Sequence, residues 1–193
     1  MKTAFVTGST GLLGVNLISE LASRDVHVKA LVRSEEKAKK LLGRFTGVEF
    51  VKGDLDHVDG FAAHLKGCDV LFHTAAYFTE YYGPGDHWQK LERLNVKATL
   101  QLLEAADKLG VGKAIFVGSS GSVGLGPDGG PGHESTPPGQ LTYSNLYFKS
   151  KLLAEQEVER FCQRHRMPVA LILPGTMMGA GRHHSHGYWA IRA

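Results

Sequence analysis

The sequence predicts an α/β fold built on one doubly wound parallel sheet, and two patterns predict it. Short apolar runs of strand length alternate with longer stretches of helical period, which is typical of βαβ units. Glycine is abundant, at 24 of 193 residues, and three of the glycines lie in the turn between the first predicted strand and the first predicted helix. With 42% hydrophobic and 21% charged residues, a chain of this size can bury one good core.

The periodicity predicts the elements in chain order. The predicted strands are residues 3–6, 26–32, 48–51, 70–72, 114–117 and 169–173. Helical spacing follows the first turn and recurs at residues 34–42, 88–109 and 144–164, with Ser34 placed to cap the second helix. Residues 121–140 are rich in Gly and Pro, so we expect a surface loop of the length usually found over active sites.

The turn after the first strand has the sequence TGSTGLLG, and its glycine spacing suits a dinucleotide. Gly8 allows a tight turn, Gly11 lets the backbone approach a pyrophosphate, and Gly14 lets helix and strand pack closely. The pyrophosphate would lie on the free N–H groups at the positive end of the helix. The expected cofactor-binding residues of this turn are Thr7, Gly8, Ser9, Thr10, Gly11, Leu12, Leu13 and Gly14.

The end of the second strand predicts which dinucleotide binds. A carboxylate there suits the ribose hydroxyls of NAD, whereas a guanidinium suits the 2′-phosphate of NADP. This strand ends at Val32-Arg33-Ser34, so Arg33 is the predicted main ligand of the phosphate. Lys37 and Lys40 can turn toward the same phosphate or form a solvated face with the neighbouring glutamates. We therefore expect NADP(H) to be preferred, with NAD(H) as the alternative.

Two further strand ends are expected to line the cofactor. Asp54 and Leu55 follow the third strand, where the carboxylate can accept a hydrogen bond from the adenine amine while the leucine packs on the ring. A turn-forming aspartate is the alternative. Thr74, Ala75 and Ala76 follow the fourth strand, and their small side chains allow the backbone to approach the cofactor closely.

Tyr147 and Lys151 form the candidate catalytic pair. Their four-residue spacing places both on one face of a predicted helix, and a nearby ammonium moves the pKa of a tyrosine toward neutrality, which suits proton donation to a carbonyl oxygen. An exposed tyrosine and lysine that merely share a helix face are the alternative. Ser119 and Ser120 end the fifth strand at the carboxyl edge of the sheet, and Ser120 is predicted to orient the substrate oxygen, with Ser122 as the second choice.

Taken in order, these motifs resemble those of a known family. They are TGSTGLLG, Asp54-Leu55, His73-Thr74-Ala75-Ala76, Leu94-Asn95-Val96, Ser119-Ser120, Tyr147 to Lys151 and Leu173-Pro174-Gly175. Over residues 1–175 the chain is similar to the extended short-chain dehydrogenase/reductase superfamily, and most similar to its NAD(P)-dependent epimerase/dehydratase group and the dihydroflavonol reductase-like branch. The resemblance implies an NAD(P)-binding Rossmann fold.

The resemblance also implies roles for individual residues. Tyr147 would be the acid/base, Lys151 the ribose ligand that also adjusts the tyrosine pKa, and Ser120 the ligand of the substrate oxygen. Arg33 and Lys40 match the phosphate-binding positions of the reductase branch. The residues implied to line the cofactor are Asp54, Leu55, Thr74, Ala75, Ala76, Pro174, Gly175, Thr176 and Met177.

Two further implications concern the long helices. Asn95 falls where the family has a helix asparagine that helps to organise the site, and a helix-interior asparagine that bonds backbone is an equal alternative. The family often dimerises through two long helices, here residues 88–109 and 144–164. A homodimer is therefore expected, although these helices could equally pack only on the sheet.

Residues 1–175 are predicted to form the dinucleotide-binding domain, and residues 176–193 an irregular tail. The family usually continues beyond the Pro-Gly pair into a smaller part that builds the substrate pocket, so we expect this chain to lack most of that part and to have weak or absent hydride transfer. His183, His184 and His186 lie in the tail without a carboxylate or a second cluster at ligand spacing, so no metal site is predicted.

Charge and hydropathy exclude several other classes of function. The 22 Lys and Arg are interspersed with 19 Asp and Glu, so no basic run for nucleic acid is evident. No apolar segment suits a signal peptide or a membrane helix. Cys68 and Cys162 lack disulfide or zinc spacing and are expected to be free thiols. We expect a cytoplasmic protein with a small-molecule carbonyl substrate and with no nucleic-acid or membrane partner.

The sequence therefore predicts an NADP(H)-dependent oxidoreductase that reduces a ketone or an aldehyde, with Tyr147 as the proton donor. One alternative is an NAD-dependent nucleotide-sugar epimerase or dehydratase. The other is a non-catalytic dinucleotide-binding module.

Overall fold

The computed structural model of the chain describes residues 1–78 and 84–179. Its strands are β1 (Thr3–Thr7), β2 (His27–Val32), β3 (Val48–Lys52), β4 (Val70–His73), β5 (Lys113–Val117) and β6 (Val169–Ile172). They form one parallel sheet in the order β3-β2-β1-β4-β5-β6. The chain thus winds from β1 in one direction to β3 and in the other to β6, which is the doubly wound order of the Rossmann fold. The predicted fold class is confirmed.

Helices connect the strands. They are α1 (Leu12–Ser23), α2 (Glu35–Leu42), α3 (Trp88–Leu91), a π-helical segment (Glu92–Lys97), α4 (Ala98–Lys108), α5 (Gln140–Ser144) and α6 (Leu146–Arg164). Short 3₁₀ turns lie at Leu55–Gly60, Ala62–Leu65 and Ser120–Ser122. No helix within residues 1–78 and 84–179 combines the length and apolarity needed to span a bilayer.

The core lies in two apolar layers, one on each face of the sheet. Because successive strand residues point to opposite faces, Phe5 of β1 joins the cluster that contains Phe161 of α6, whereas Val6 joins the cluster that contains Ile18 of α1 and Leu42 of α2. All five side chains are fully buried, and each contributes roughly 1.5–3 kcal/mol of hydrophobic stabilisation. Because all six strands are parallel and packed between these two layers, their carboxyl ends lie together at one edge of the sheet.

The observed elements differ from the prediction mainly at helix ends. Each predicted strand is present with one end shifted by a single residue. The helix predicted over residues 88–109 contains the π-helical segment, which apolar spacing did not indicate. The helix predicted over residues 144–164 is interrupted at Asn145, whose side chain accepts from the Phe148 N–H group at 3.0 Å and thereby starts α6.

Candidate dinucleotide and catalytic site

The glycine loop (residues 7–14) between β1 and α1 has the close geometry that its sequence predicts. Gly8 has a φ of +69°, a conformation that other residues rarely adopt. A Cβ atom at Gly8 would lie 2.7 Å from both the Ala75 nitrogen and Thr74 Oγ1, and one at Gly14 would lie 2.2 Å from the Gly8 carbonyl oxygen. Only glycine therefore fits at these two positions, where β1, α1 and the segment after β4 meet.

Helix α1 begins differently from α2 and α6. Its N-cap residue is Gly11, which has no side chain to accept from the first-turn amides, whereas Ser34 and Asn145 cap α2 and α6 with their side chains. The amides and the positive end of α1 therefore remain available to an anion. This uncapped N-terminus, beside a loop with glycine at residues 8, 11 and 14, fits the pyrophosphate of a dinucleotide.

The other residues of the glycine loop shape the turn. Ser9 is buried, and its hydroxyl donates to the Val6 carbonyl oxygen at 2.8 Å. Thr10 and Leu13 are half-buried, and Leu12 is exposed. The predicted loop residues thus divide into those that hold the turn and those that face outward from it.

A buried chain of hydrogen bonds links this loop to the π-helical segment. The Thr99 hydroxyl donates to the Asn95 carbonyl oxygen at 2.8 Å, so its oxygen accepts from His73 Nε2–H at 2.9 Å. His73 Nδ1 then accepts from the Thr7 hydroxyl at 2.7 Å, and Thr7 Oγ1 accepts from the Ala75 N–H group at 3.3 Å. Burial lowers the pKa of His73 to about 3, so the imidazole is neutral and keeps this tautomer near pH 7.

Asn95 connects the loop after β4 to helix α6. Its Oδ1 accepts from the Tyr77 N–H group at 2.8 Å, and its Nδ2 donates to the Tyr77 carbonyl oxygen at 3.2 Å and to Ser150 Oγ at 3.0 Å. The Ser150 hydroxyl in turn donates to the Tyr147 carbonyl oxygen at 2.7 Å. Asn95 therefore bonds backbone, as one of the two sequence interpretations expects, and the backbone it bonds leads to the candidate catalytic helix.

Lys151 is the buried member of the candidate catalytic pair. The residue is only 3% exposed. Its Nζ donates to the Val117 carbonyl oxygen at 2.7 Å and lies 5.1 Å from the centre of the Phe116 ring. Burial lowers the pKa of Lys151 to about 8, and Glu155 acts in the opposite direction. The ammonium is thus held at the end of β5, one helical turn after Tyr147.

Tyr147 lies at the start of α6 and is half-buried. Its ring centre is 4.7 Å from that of Phe78, with an angle of 58° between the ring planes. Phe78 follows β4 and is 41% exposed. An aromatic side chain that the sequence analysis did not single out therefore lies beside the candidate proton donor.

The serine turn (residues 119–122) follows β5. The Ser120 N–H group donates to the Pro174 carbonyl oxygen at 3.0 Å, which fastens the turn to the segment after β6. Ser122 is buried and donates to the Ser119 carbonyl oxygen at 2.7 Å, whereas Ser120 is exposed. Of the two serines considered from the sequence, Ser120 is the one exposed at the surface.

Glu155 is a further candidate that the sequence analysis missed. It lies on α6 four residues after Lys151, is 8% exposed, and accepts through Oε1 from the Ser119 N–H group at 3.3 Å. A Cβ atom at Gly118 would lie 2.5 Å from this oxygen. Its eight-residue spacing from Tyr147 and its place among apolar residues were the signals that could have indicated it.

The tip of β2 carries the predicted phosphate ligands. The Gly53 N–H group donates to the Val32 carbonyl oxygen at 3.1 Å and brings the end of β3 beside Arg33, which is exposed. Lys40 is also exposed, and its Nζ is 2.5 Å from Glu36 Oε1. The structure therefore leaves Arg33 at the strand tip and places Lys40 in an ion pair on the solvated face of α2.

The residues after β3 and β4 lie at the same edge. Asp54 accepts from the Asp56 N–H group at 3.1 Å and starts a 3₁₀ turn, so it has the turn-forming role. Leu55 packs partly against the core. The Thr74 hydroxyl donates to the Thr7 carbonyl oxygen at 2.7 Å.

The segment after β6 returns toward the glycine loop. A Cβ atom at Gly179 would lie 3.8 Å from both Leu12 Cδ1 and Asn16 Nδ2 of α1, and one at Gly175 would lie 3.7 Å from Ser120 Oγ. The predicted cofactor-lining residues Pro174, Gly175, Thr176 and Met177 belong to this segment. The tail histidines lie outside the described residues.

Comparisons with known proteins agree with this arrangement. Residues 4–191 match the NAD dependent epimerase/dehydratase family. The chain is 33% identical over 156 residues to a 3 beta-hydroxysteroid dehydrogenase/Delta 5-->4-isomerase of Mycobacterium tuberculosis, covering 79% of this chain and 41% of the relative. It is 26% identical over 191 residues to a dihydroflavonol 4-reductase of Dianthus caryophyllus, covering 92% and 52% respectively.

A solved structure supports the same assignment. The crystal structure of gox2253 is similar with a TM-score of 0.76 and 32% identity, over 90% of this chain and 51% of that one. This chain spans about half the length of the proteins that it matches. The chain belongs to the NAD-dependent epimerase/dehydratase family of the extended short-chain dehydrogenase/reductase superfamily.

Proposed function

We propose that the protein is an NADP(H)-dependent oxidoreductase that reduces a ketone or an aldehyde, with Tyr147 as the proton donor. One observation carries the proposal: Tyr147 and the buried Lys151 lie one turn apart on α6, at the sheet edge where the glycine loop offers an uncapped helix N-terminus. Because the chain spans about half the length of its relatives, activity of these 193 residues is part of the proposal.

The chain's own groups suit a bound dinucleotide. The glycine loop would hold the pyrophosphate, and the nicotinamide would supply the hydride. A lysine ammonium has three N–H donors, and Lys151 uses one of them to donate a hydrogen bond to the Val117 carbonyl oxygen. Ribose hydroxyls are suitable acceptors for the other two, so Lys151 would orient the ribose.

Tyr147 would protonate the substrate oxygen, which the exposed Ser120 hydroxyl would orient. A positive charge near a phenol stabilises the phenolate that remains after proton donation. Lys151 provides this charge only while it is protonated, and burial lowers its pKa to about 8. Reductive activity should therefore decline as the pH rises through about 8.

The proposed cofactor preference depends on Arg33. We expect NADPH to bind at least about tenfold more tightly than NADH, which corresponds to about 1.4 kcal/mol, because a guanidinium at the β2 tip suits a 2′-phosphate. Arg33→Ala should weaken NADPH binding by about that factor and leave NADH binding unchanged in fluorescence titrations. Arg24→Ala, which removes an exposed arginine paired with Glu20, is the control. Equal affinities of the natural chain for the two dinucleotides would refute the preference.

The proposed reaction is tested by NADPH oxidation with a panel of ketones and aldehydes. Tyr147→Phe should lower turnover by about 100-fold or more while the affinity for NADPH stays within about threefold. Tyr143→Phe removes the hydroxyl of an exposed tyrosine on α5 and should leave turnover unchanged. Turnover retained in Tyr147→Phe would refute the proton-donor role.

The family match favours one second candidate, an NAD-dependent nucleotide-sugar epimerase or dehydratase. Such an enzyme regenerates its nicotinamide in each cycle, so tightly held NAD with no net cofactor consumption would support it. Dinucleotide binding without turnover of either substrate class would support the non-catalytic module. The homodimer expected through the long helices stays a prediction.

A further inference from the structure

A buried carboxylate joins two parts of the candidate site. Glu155 lies on α6, and its Oε1 accepts from the Ser119 N–H group at 3.3 Å. The Ser122 hydroxyl lies near this carboxylate and donates a hydrogen bond to the Ser119 carbonyl oxygen. Glu155 therefore connects the catalytic helix to the start of the serine turn, in which Ser120 is exposed.

The backbone opposite Glu155 is shaped to admit the carboxylate. The position of a Cβ atom at Gly118 is 2.5 Å from Glu155 Oε1 and 2.5 Å from Leu173 Cδ2. Any side chain at residue 118 would therefore displace both the carboxylate and the leucine. The close approach of Glu155 to the end of β5 depends on this glycine.

The charge of Glu155 acts on the neighbouring ammonium. Burial has the largest effect and raises the pKa of Glu155. Ser122, the Ser119 amide and the charge of Lys151 lower this pKa, and the charge of Glu159 raises it. Glu155 in turn raises the pKa of Lys151 against the larger effect of burial.

The remaining surroundings of Lys151 supply no negative side-chain charge in the contacts described. On β4 it faces His73, which burial keeps neutral near pH 7, and on β5 it faces the Val117 carbonyl oxygen and the Phe116 ring. On its own helix, the charged group that acts on Lys151 is Glu155. Burying an ammonium is costly unless it is partnered, so the carboxylate one turn away is well placed to support it.

We propose that Glu155 is a positioning residue of the active site: its carboxylate fixes the serine turn through the Ser119 amide and supports the charge of the Lys151 ammonium. The inference rests on the proposed function, which assigns Ser120 and Lys151 their roles. Two variants separate the two actions. Glu155→Gln keeps an oxygen for the Ser119 amide and removes the charge, whereas Glu155→Leu removes both.

The first test does not require turnover. Lysine 13Cε shifts of the full chain are followed through a pH titration by NMR, with Lys151→Met to assign the signal. The Lys151 midpoint should be lower in Glu155→Gln than in the natural chain. It should be unchanged in Glu159→Gln, which removes an equal and exposed charge one turn further along α6. An unchanged midpoint in Glu155→Gln would overturn the charge-supporting role.

The same samples test the positioning of the serine turn. Hydrogen exchange of the Ser119 amide should be faster in Glu155→Leu than in the natural chain and close to natural in Glu155→Gln. If Glu155→Leu does not fold, Glu155→Gln and its titration still decide the charge-supporting role. Equal Ser119 protection in a folded Glu155→Leu would overturn the positioning role.

Kinetics then separate this inference from the proposed function. With an active carbonyl substrate, the alkaline limb of the kcat profile should move to lower pH in Glu155→Gln, because Lys151 loses its proton earlier. Glu155→Leu should lower kcat by about tenfold or more at every pH. If the natural chain shows no turnover, the proposed function alone is refuted. If it turns over substrate but Glu155→Gln changes neither the alkaline limb of the kcat profile nor the Lys151 titration midpoint, the Glu155 inference alone is refuted.

Discussion

At the scale of single residues, three glycines of the site are required for three different physical reasons. Gly8 adopts a positive φ, Gly14 lets α1 approach the loop carbonyl, and Gly118 leaves room for a carboxylate. The glycine motif predicts the first two because loop spacing is local. The third depends on Glu155, 37 positions further along the chain, and no local pattern indicates it.

Replacing Gly14 tests the close packing of α1 on the loop. A Cβ atom 2.2 Å from the Gly8 carbonyl oxygen must push the helix away, so Gly14→Ala should lower the free energy of unfolding by roughly 1–3 kcal/mol. Urea unfolding measures this change. Gly60→Ala is the matched control, since a Cβ atom there meets nothing within 4 Å. Equal stability of the two variants would contradict the packing argument.

At the scale of elements, the π-helical segment is the feature that places Asn95. A π turn inserts about one extra residue per turn and is often found at functional sites. Here the buried Asn95 side chain bonds Tyr77 and Ser150 instead of continuing an apolar helix face. The segment thus connects the loop after β4 to α6. Through Ser150 it also fixes the backbone of Tyr147, the candidate proton donor.

Asn95→Ala should therefore affect both stability and turnover. Removal of the amide takes the Asn95 acceptor from the buried Tyr77 N–H group, which should cost about 1–3 kcal/mol. Urea unfolding and NADPH oxidation measure the two effects. Gln101→Ala, at an exposed position of α4, should change the free energy of unfolding by less than about 0.5 kcal/mol. If Asn95→Ala changed the free energy of unfolding as little as Gln101→Ala, the hydrogen bonds of Asn95 would not contribute to stability.

At the scale of the whole molecule, β6 lies at one edge of the sheet, and its two faces differ in how far they are buried. The apolar run at residues 169–173 predicts a strand, and β6 is present. Val169 and Leu171 pack against the core, whereas Ala170 and Ile172 are exposed, the latter by 50%. An apolar run predicts a strand buried on both faces. It cannot predict which other elements cover each face, because those elements lie elsewhere in the chain.

Much of the fold could be predicted because its signals are local. The strand ends shifted by only one residue because most of the apolar runs are bounded by turn-forming or charged residues. The break before α6 was not predicted, since Asn145 competes with the helix through its own side chain. The spacing of Tyr147 and Lys151 was correctly placed on one helix, but the burial of the lysine against Val117 was not visible in it.

The order of the residues is enough to predict the alternating elements, the glycine loop, the candidate pair on α6 and the family. These follow from spacing within a few residues or from ordered motifs. The folded structure adds that His73 joins Thr7 to Thr99, that Asn95 bonds Tyr77, and that a carboxylate faces the serine turn. Each of these contacts joins side chains from separate elements, and folding alone brings them within hydrogen-bond distance.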